Sequence, residues 1–283
     1  MNELQEAPNG PVVGASCLIR KLQRHINMKT FLTHLTLAVC LIAESGHTAD
    51  LIKAGPGIST ADLMTRRTAE YDYDVPVAGS YELPVLQPAA NGTVVGTNGL
   101  PTTLHDLMRD HVVVLSFIYT RCSDPRACLR ATGVLSELQR ISRQQPELGK
   151  KLLLLSLSFD PSFDKPEVMA RYGRVSLGYG DGAEWWFLTT RDRKELQPLL
   201  DAYGQRVDRR KTFSPAGPLY HPLRVYLIDP QQQVRNIYSY GLLDPRLVAT
   251  DALTLTLEAR HRTVAKIQPT GRTEERGSPG GAP

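Results

Sequence analysis

The sequence is short of cysteine, of net charge and of long apolar runs. It holds 4 cysteines in 283 residues, and its formal net charge is +4 at pH 7. So small a charge gives no indication of a nucleic-acid-binding protein, because such proteins carry a concentrated basic surface. A local basic cluster is interpreted as a solvated loop rather than a phosphate site. Its members are Arg206, Arg209, Arg210 and Lys211.

The N-terminal region has the pattern of a secretory leader that starts at Met28. Lys29 supplies the positive charge, Phe31–Ala43 forms the apolar segment, and Ala49 is the small residue that a signal peptidase requires. The apolar segment is too short to span a membrane as a helix of the mature protein. We therefore predict a leader over residues 1–49, a true start at Met28 and export to the periplasm.

Two alternatives to a cleaved leader stay open. Leu37 to Val39 precede Cys40 as in a lipoprotein, although valine is a poor residue directly before a lipidated cysteine. An uncleaved leader would instead anchor the protein, and it is the only route to membrane association that we expect.

Loss of the leader would leave one pair of cysteines, Cys122 and Cys128, because Cys17 and Cys40 would leave with it. An exported protein can hold such a pair as a disulfide. A bridge between cysteines so close in sequence closes a very small loop and stabilises the fold little. A redox or metal-binding role therefore explains the pair better than a structural disulfide.

Four apolar segments predict the strands of a buried sheet. The first, Val112–Tyr119, is rich in β-branched and aromatic residues and ends just before the cysteine pair. Lys151–Phe159, Trp185–Thr190 and Arg224–Asp229 follow, and the last of these forms a hairpin with Val234–Tyr240. Cysteines between a buried strand and a helix lie where α/β folds carry their chemistry.

The segments before and between these strands are predicted to form helices, turns and one edge strand. A short helix capped by Thr102 or Thr103 precedes the first strand, and Tyr81–Leu86 is predicted as an edge strand because it contains Pro84. Longer helices are predicted after Cys128 and at residues 166–173, 193–203 and 245–266. The order predicts an α/β fold, a thioredoxin-like mixed sheet flanked by helices, with an N-terminal extension and a C-terminal β-hairpin plus helix.

These assignments divide the chain into four parts. Residues 1–49 are the leader and residues 50–80 are an irregular arm. The thioredoxin-like domain covers residues 81–266. Residues 267–283 are rich in glycine, proline and charge, which predicts a disordered tail.

Cys122 and Cys128 can meet only if the segment between them leaves the helix. Within one continuous helix they would lie about 9 Å apart, which exceeds the limit of roughly 7 Å between the Cα atoms of a disulfide. With Asp124 as N-cap and Pro125 at the first helical position, Cys122 would fold back toward Cys128. Thiols near a helix N-terminus ionise readily, and thiolates exchange disulfides or bind soft metals.

A third metal ligand would come from a histidine. His105 and His111 flank the first strand and His261 lies in the last helix, so all three are predicted at the surface. His221 ends a long loop just before the Arg224–Asp229 strand, and in a parallel arrangement that end of the strand can lie near the cysteine loop. On position alone, an ordinary loop histidine is the simpler interpretation.

The chain from about Tyr81 to Ala259 resembles the SCO/SenC family, whose members are thioredoxin-like proteins of the bacterial envelope and the mitochondrial inner membrane. The matching segments occur in the family's order, at residues 115–122, 158–173, 185–190 and 221–230. The resemblance implies that Cys122, Cys128 and His221 bind copper. It also implies assistance in assembling the dinuclear copper centre, CuA, of cytochrome c oxidase, and disulfide reduction or exchange in target proteins.

The chain departs from the family pattern at two places. Five residues, Ser123 to Ala127, separate the cysteines where the family usually has three, and Leu129 stands where the family usually has proline. The copper affinity and redox potential are therefore expected to differ. Asp160 and Asp164 match a family loop, and we expect them to have a structural role.

Three functions remain as hypotheses. The first is a copper-binding assembly factor, whose partner is a subunit of a respiratory copper enzyme. The second is a thiol–disulfide oxidoreductase that needs only Cys122 and Cys128 and acts on another periplasmic thiol protein. The third is a binding module that kept the fold and lost the chemistry.

Overall fold

The computed structural model describes residues 67–176 and 182–267. The predicted leader, the first part of the arm and nearly all of the predicted tail lie outside the described residues. Residues 67–80 contain turns and bends and no helix or strand. No helix in the described part of the chain is both long enough and apolar enough to cross a membrane.

The described residues form ten strands, six α-helices and a short 3-10 helix. The strands are β1 (Gln87–Pro88), β2 (Thr93–Val95), β3 (Pro101–Thr103), β4 (Val112–Ile118), β5 (Leu152–Ser158), β6 (Glu184–Leu188), β7 (Asp208–Arg209), β8 (Leu219–Tyr220), β9 (Val225–Ile228) and β10 (Gln233–Tyr238). The helices are α1 (Leu104–Met108), α2 (Cys128–Gln144), α3 (Pro146–Gly149), α4 (Pro166–Ser176), α5 (Arg193–Ala202) and α6 (Pro245–Ile267), with the 3-10 turn at Tyr240–Leu242.

One mixed sheet of six strands organises the domain, in the order β1-β10-β9-β4-β5-β6. β4, β5 and β6 run parallel, whereas β9 pairs antiparallel with β4 and β10 pairs antiparallel with β9. Every residue of β4 and β5 is buried, as expected for central strands covered on both faces. The predicted mixed sheet flanked by helices, with a C-terminal hairpin and helix, is confirmed.

Helices cover the sheet and carry the crossovers between its parallel strands. α2 contacts β4, β5 and α6, and α6 also contacts β4. At the end of α5, the ring of Tyr203 packs edge-on against Phe117 of β4 and Tyr226 of β9, with centroids 5.5 and 5.0 Å apart. This packing fixes the central strands, and the loops at the carboxyl end of β4 are therefore held by a rigid core.

The prediction of an edge strand at Tyr81–Leu86 is wrong. Tyr81–Leu86 has no strand structure, and the edge pair with β10 is made instead by Gln87 and Pro88. Pro88 has no N–H to donate, and it lies at the outer edge, where such a residue is tolerated. Thr103 caps α1 as predicted, since its side chain accepts a hydrogen bond from the Asp106 N–H.

Replacement of a leucine in the middle of the sheet should destabilise the domain strongly. Leu155 of β5 is completely buried and lies between Leu115 of β4 and Trp186 of β6. Because Leu155→Ala leaves a cavity in a close-packed core, we expect it to lower the free energy of unfolding by about 2–5 kcal/mol, measured by urea denaturation.

The matched control is Leu100→Ala, at a turn where the side chain is 64% exposed. Its effect should stay within about 0.5 kcal/mol. Equal losses in the two variants would contradict the assignment of the core.

Candidate metal centre

Three separate elements bring Cys122, Cys128 and His221 together. Cys122 lies in the loop that leaves β4, Cys128 is the first residue of α2, and His221 lies between β8 and β9. The expectation that a parallel strand would bring His221 close is wrong. β9 is antiparallel to β4, with Val225 opposite Ser116, and so the beginning of β9 lies beside the end of β4.

The segment between the cysteines is a turn followed by the helix. The Asp124 side chain accepts a hydrogen bond from the Arg126 N–H at 2.9 Å, and the Ala127 N–H donates to the Asp124 carbonyl at 3.2 Å. The predicted N-cap at Asp124 is wrong, because the helix begins at Cys128 with Ala127 as its cap. Cys122 does lie outside the helix, as the spacing argument required.

The donor atoms of Cys122, Cys128 and His221 lie within 4.8 Å of one another, and all three residues are buried. Neither cysteine forms a disulfide. The Cys128 Sγ lies 3.3 Å from the His221 Nε2. Among the described residues, no other cluster of cysteine, histidine or carboxylate side chains has a comparable arrangement.

The backbone determines which nitrogen of His221 faces the sulfurs. The His221 Nδ1 lies 3.1 Å from the Pro222 carbonyl oxygen. Because a carbonyl oxygen can only accept, Nδ1 carries the proton in this contact and donates it. In the neutral ring the lone pair is then on Nε2, which points at the Cys128 sulfur and is available to a metal ion.

Aromatic rings hold His221 in place. Phe159 packs against its imidazole at a centroid distance of 4.6 Å, and Tyr119 packs edge-on at 6.2 Å. The Tyr119 hydroxyl lies 3.0 Å from the Ala216 carbonyl oxygen and 3.2 Å from that of Leu219. Tyr119 thus connects the cysteine loop to the loop that carries His221.

The two thiols ionise very differently. The hydrogen bond that Cys128 donates lowers the pKa of Cys122 to about 4, although burial acts in the opposite direction. Burial raises the pKa of Cys128 well above its usual value, and the hydrogen bond with Cys122 acts in the same direction. At neutral pH the pair therefore consists of one thiolate, Cys122, and one thiol, Cys128.

Two buried carboxylates fix the backbone of the cysteine loop. Asp164 accepts hydrogen bonds from the Thr120 N–H, at 3.0 Å, and from the Thr120 hydroxyl. Burial raises the pKa of Asp164. Asp160 pairs with Arg121 at 2.6 Å. Neither carboxylate belongs to the cluster of donor atoms.

Sequence reasoning missed the loop before His221 as a support of the site. The Ser123 hydroxyl donates to the Pro215 carbonyl oxygen across the mouth of the cluster. Gly217 has φ +100, and a Cβ at this position would lie 2.7 Å from the Arg121 carbonyl oxygen. The glycine is therefore required for the close approach of the two loops.

The other three histidines in the part of the chain that the structure describes, His105, His111 and His261, lie outside the cluster. The His105 Nε2 contacts the Ala89 carbonyl oxygen at 2.8 Å, and the His111 Nδ1 contacts that of Arg109 at 2.6 Å. His261 is exposed on α6.

The family comparison agrees with the geometry. The SCO1/SenC family model matches residues 93–256, more than half of the chain, and this range includes Cys122, Cys128 and His221. The chain belongs to the SCO1/SenC family. A search of curated proteins returns no match.

Solved structures of SCO1/SenC proteins have a similar fold. A SCO1/SenC family lipoprotein from Bacillus anthracis is 23% identical, with a TM-score of 0.51, over 61% of this chain and 96% of the relative. ScoI of Bradyrhizobium japonicum, described with copper bound, is 19% identical, with a TM-score of 0.49, over 59% and 99%. BsSco, described as having a disulfide switch and as a member of the Sco family of cytochrome c oxidase assembly proteins, is 19% identical, with a TM-score of 0.49, over 62% and 98%.

The lowered pKa of Cys122 predicts unusual reactivity in this SCO1/SenC protein. Because Cys122 has a pKa of about 4, its alkylation by iodoacetamide should change little between pH 6 and 8. An ordinary thiol would react roughly 75-fold faster at the higher pH. Peptide mass spectrometry of the reduced full chain would measure how fast iodoacetamide alkylates Cys122 as distinct from the other cysteines.

Cys128→Ala serves as the comparison, since it removes the hydrogen-bond donor that stabilises the Cys122 thiolate. The rate at Cys122 should then rise with pH. A steep pH dependence already present in the unaltered chain would contradict the thiolate assignment.

Proposed function

We propose that the protein binds copper and delivers it to, or prepares the thiols of, a respiratory copper enzyme such as the CuA site of cytochrome c oxidase. The convergence of two cysteines and one histidine, with donor atoms within 4.8 Å of one another, carries this proposal. Copper is here the cargo of the protein. Membership of the SCO1/SenC family supports the same cargo and the same class of partner.

The donor set suits copper better than other common metal ions. Thiolate sulfur and imidazole nitrogen select soft or borderline ions such as Cu(I), Cu(II) and zinc. A structural zinc site is normally completed by a fourth protein ligand, and the described residues supply three. Three atoms bound around one such ion at about 2.0–2.3 Å lie roughly 3.5–4.0 Å apart. Because the donor atoms already lie within 4.8 Å of one another, they need to approach by less than about 1 Å.

Each ligand has a distinct part in capture and release. Cys122 is 8% exposed whereas Cys128 is completely buried, so an incoming ion or a partner thiol reaches Cys122 first. Cys122 is already a thiolate and binds without losing a proton. Cys128 must release its proton on binding, which makes affinity depend on pH. The Nε2 of His221 would be the third ligand, and the hydrogen bond from Nδ1 to the Pro222 carbonyl oxygen fixes the orientation of the ring.

We place this activity outside the cytoplasm. The leader pattern that begins at Met28 supports export to the periplasm, and an uncleaved leader would keep the protein at the membrane.

A thiol–disulfide oxidoreductase is the second candidate, and the contrast between the two thiols favours it. A thiolate that a partner can reach, as Cys122 is at 8% exposure, can attack a partner disulfide, and the second thiol can then resolve the mixed disulfide. In the balanced reaction, the Cys122 thiolate and the Cys128 thiol lose two electrons and one proton as the bond between their sulfurs forms. The partner disulfide takes up the two electrons and the proton, its sulfur–sulfur bond breaks, and it becomes one thiol and one thiolate.

Replacement of His221 should abolish tight copper binding while leaving the fold intact. We expect the unaltered chain to bind one Cu(I) and His221→Ala to bind it more than about 100-fold more weakly. Mutation of a residue that only hydrogen-bonds to a metal ligand already lowers metal affinity by about 10–100-fold, and removal of the ligand itself should lower it further. Competition with a chromophoric Cu(I) chelator and metal analysis measure both quantities.

His111→Ala is the matched control, because His111 lies outside the cluster of donor atoms. Copper affinity should be unchanged in this variant. Tight binding by His221→Ala would contradict the ligand assignment, and a preference of the unaltered chain for zinc would contradict the cargo.

His221→Ala also separates the two candidate functions, since it retains both thiols. A copper-delivering protein with this substitution should fail to restore cytochrome c oxidase activity in a host that lacks its own SCO protein. An oxidoreductase should still restore it and should still exchange with a model disulfide in vitro. Cys122→Ser should fail in both assays, and full activity of that variant would contradict both functions.

A further inference from the structure

A basic cleft lies beside the metal centre. Its cations come from three segments, with Lys165 before α4, Arg191 and Arg193 at the start of α5, and Arg209 in β7. The cleft has a volume of about 460 Å³, which is enough for a few side chains of a partner.

One ring separates the cleft from the metal ligand. Phe159 forms part of the cleft wall, and its ring also packs against the His221 imidazole at a centroid distance of 4.6 Å. Leu219 also lines the cleft and lies two residues before His221. Any group that occupies the cleft is therefore positioned directly beside the metal centre.

The cleft has an excess of available positive charge. Its two acidic residues have partners within the protein, because Asp160 pairs with Arg121 at 2.6 Å and Asp192 caps α5 by accepting from the N–H groups of Lys194 and Glu195. Lys165 and Arg209 are exposed, and neither has an ion-pair partner in the described ranges 67–176 and 182–267.

The adjoining hairpin has the composition of a protein interface rather than of a small-anion pocket. β7 and β8 pair to form it, and Phe213 between them is 93% exposed. The Arg210 guanidinium lies over the half-exposed Tyr220 ring, 5.4 Å from its centroid. Arginine beside exposed aromatic rings is typical of protein–protein contacts. Exposed cations of this kind steer a partner rather than enclose a buried anion.

We infer that the basic cleft and the hairpin from β7 to β8 dock an acidic segment, with aromatic or aliphatic neighbours, of the protein that receives the metal. This inference rests on the proposed function. The hairpin also carries the carbonyl groups that contact Tyr119 and Ser123, so a docked partner touches the loop that supports both Cys122 and His221.

The test uses the full chain without metal and a fluorescein-labelled peptide of twelve residues that contains six aspartates or glutamates and two aromatic residues. Fluorescence anisotropy measures its affinity at low salt. A rise from about 20 to 200 mM salt should weaken binding, because exposed charges are then screened. The Asn/Gln version of the peptide should bind at least about tenfold more weakly.

The decisive comparison is between two charge reversals of equal size. Lys165→Glu/Arg209→Glu should weaken peptide binding at least about tenfold. Lys150→Glu/Lys151→Glu changes two exposed lysines at the opposite end of the sheet, just before β5, and should stay within about twofold. Lys165→Gln/Arg209→Gln removes the charges without reversing them and should give an intermediate loss, with circular dichroism confirming that each variant is folded.

Absence of binding by the unaltered chain, equal binding of the neutral peptide, or equal losses in the two reversals would each overturn the inference. The proposed function is measured separately, because copper stoichiometry does not depend on the peptide. A chain that binds copper but not the peptide refutes the docking site alone. One that binds no copper refutes the proposed function.

Discussion

The antiparallel pairing of β9 with β4 is the constraint on which the rest of the site depends. β4 and β5 run parallel, so the helix that connects them must start at the carboxyl end of β4, and this places Cys128 there. His221 reaches the same end because β9 begins where β4 ends. A β9 strand parallel to β4 would put His221 at the far end of the sheet, roughly 20 Å away for a strand of this length. Strand direction thus brings the candidate ligand His221 to the two cysteines, although it is far from them in sequence.

Burial then determines the ionisation of the cluster. Phe159 and Tyr119 exclude water from one side of His221, and two thiolates side by side in such a setting would repel each other strongly. The pair therefore retains one proton, on Cys128, and stabilises one charge, on Cys122. A bound cation removes the repulsion that keeps Cys128 protonated. The same arrangement serves disulfide exchange, in which the charge on Cys122 is lost to a new sulfur–sulfur bond.

The sequence predicted those features that depend on local pattern or on family resemblance. The buried strand Val112–Ile118 is apolar except for Ser116, and its bounds were predicted to within about a residue. His221 could be assigned only by resemblance, because its distance from Cys128 depends on which way β9 runs and no local pattern encodes strand direction. The start of α2 was misplaced because Asp124 and Pro125 are equally suited to a tight turn and to a helix cap.

The same turn explains why the longer gap between the cysteines leaves the ligand cluster intact. Residues 124–127 form a turn in which the Asp124 side chain and carbonyl accept hydrogen bonds from the Arg126 and Ala127 N–H groups. The additional residues are therefore accommodated in this turn and do not separate Cys122 from Cys128. Leu129 in place of proline costs little in the backbone, because the N–H groups of the first helical turn have no acceptor within the helix. Its side chain is 47% exposed beside the cluster. The two departures from the family pattern therefore alter the surface beside Cys128 more than the arrangement of the three candidate metal ligands.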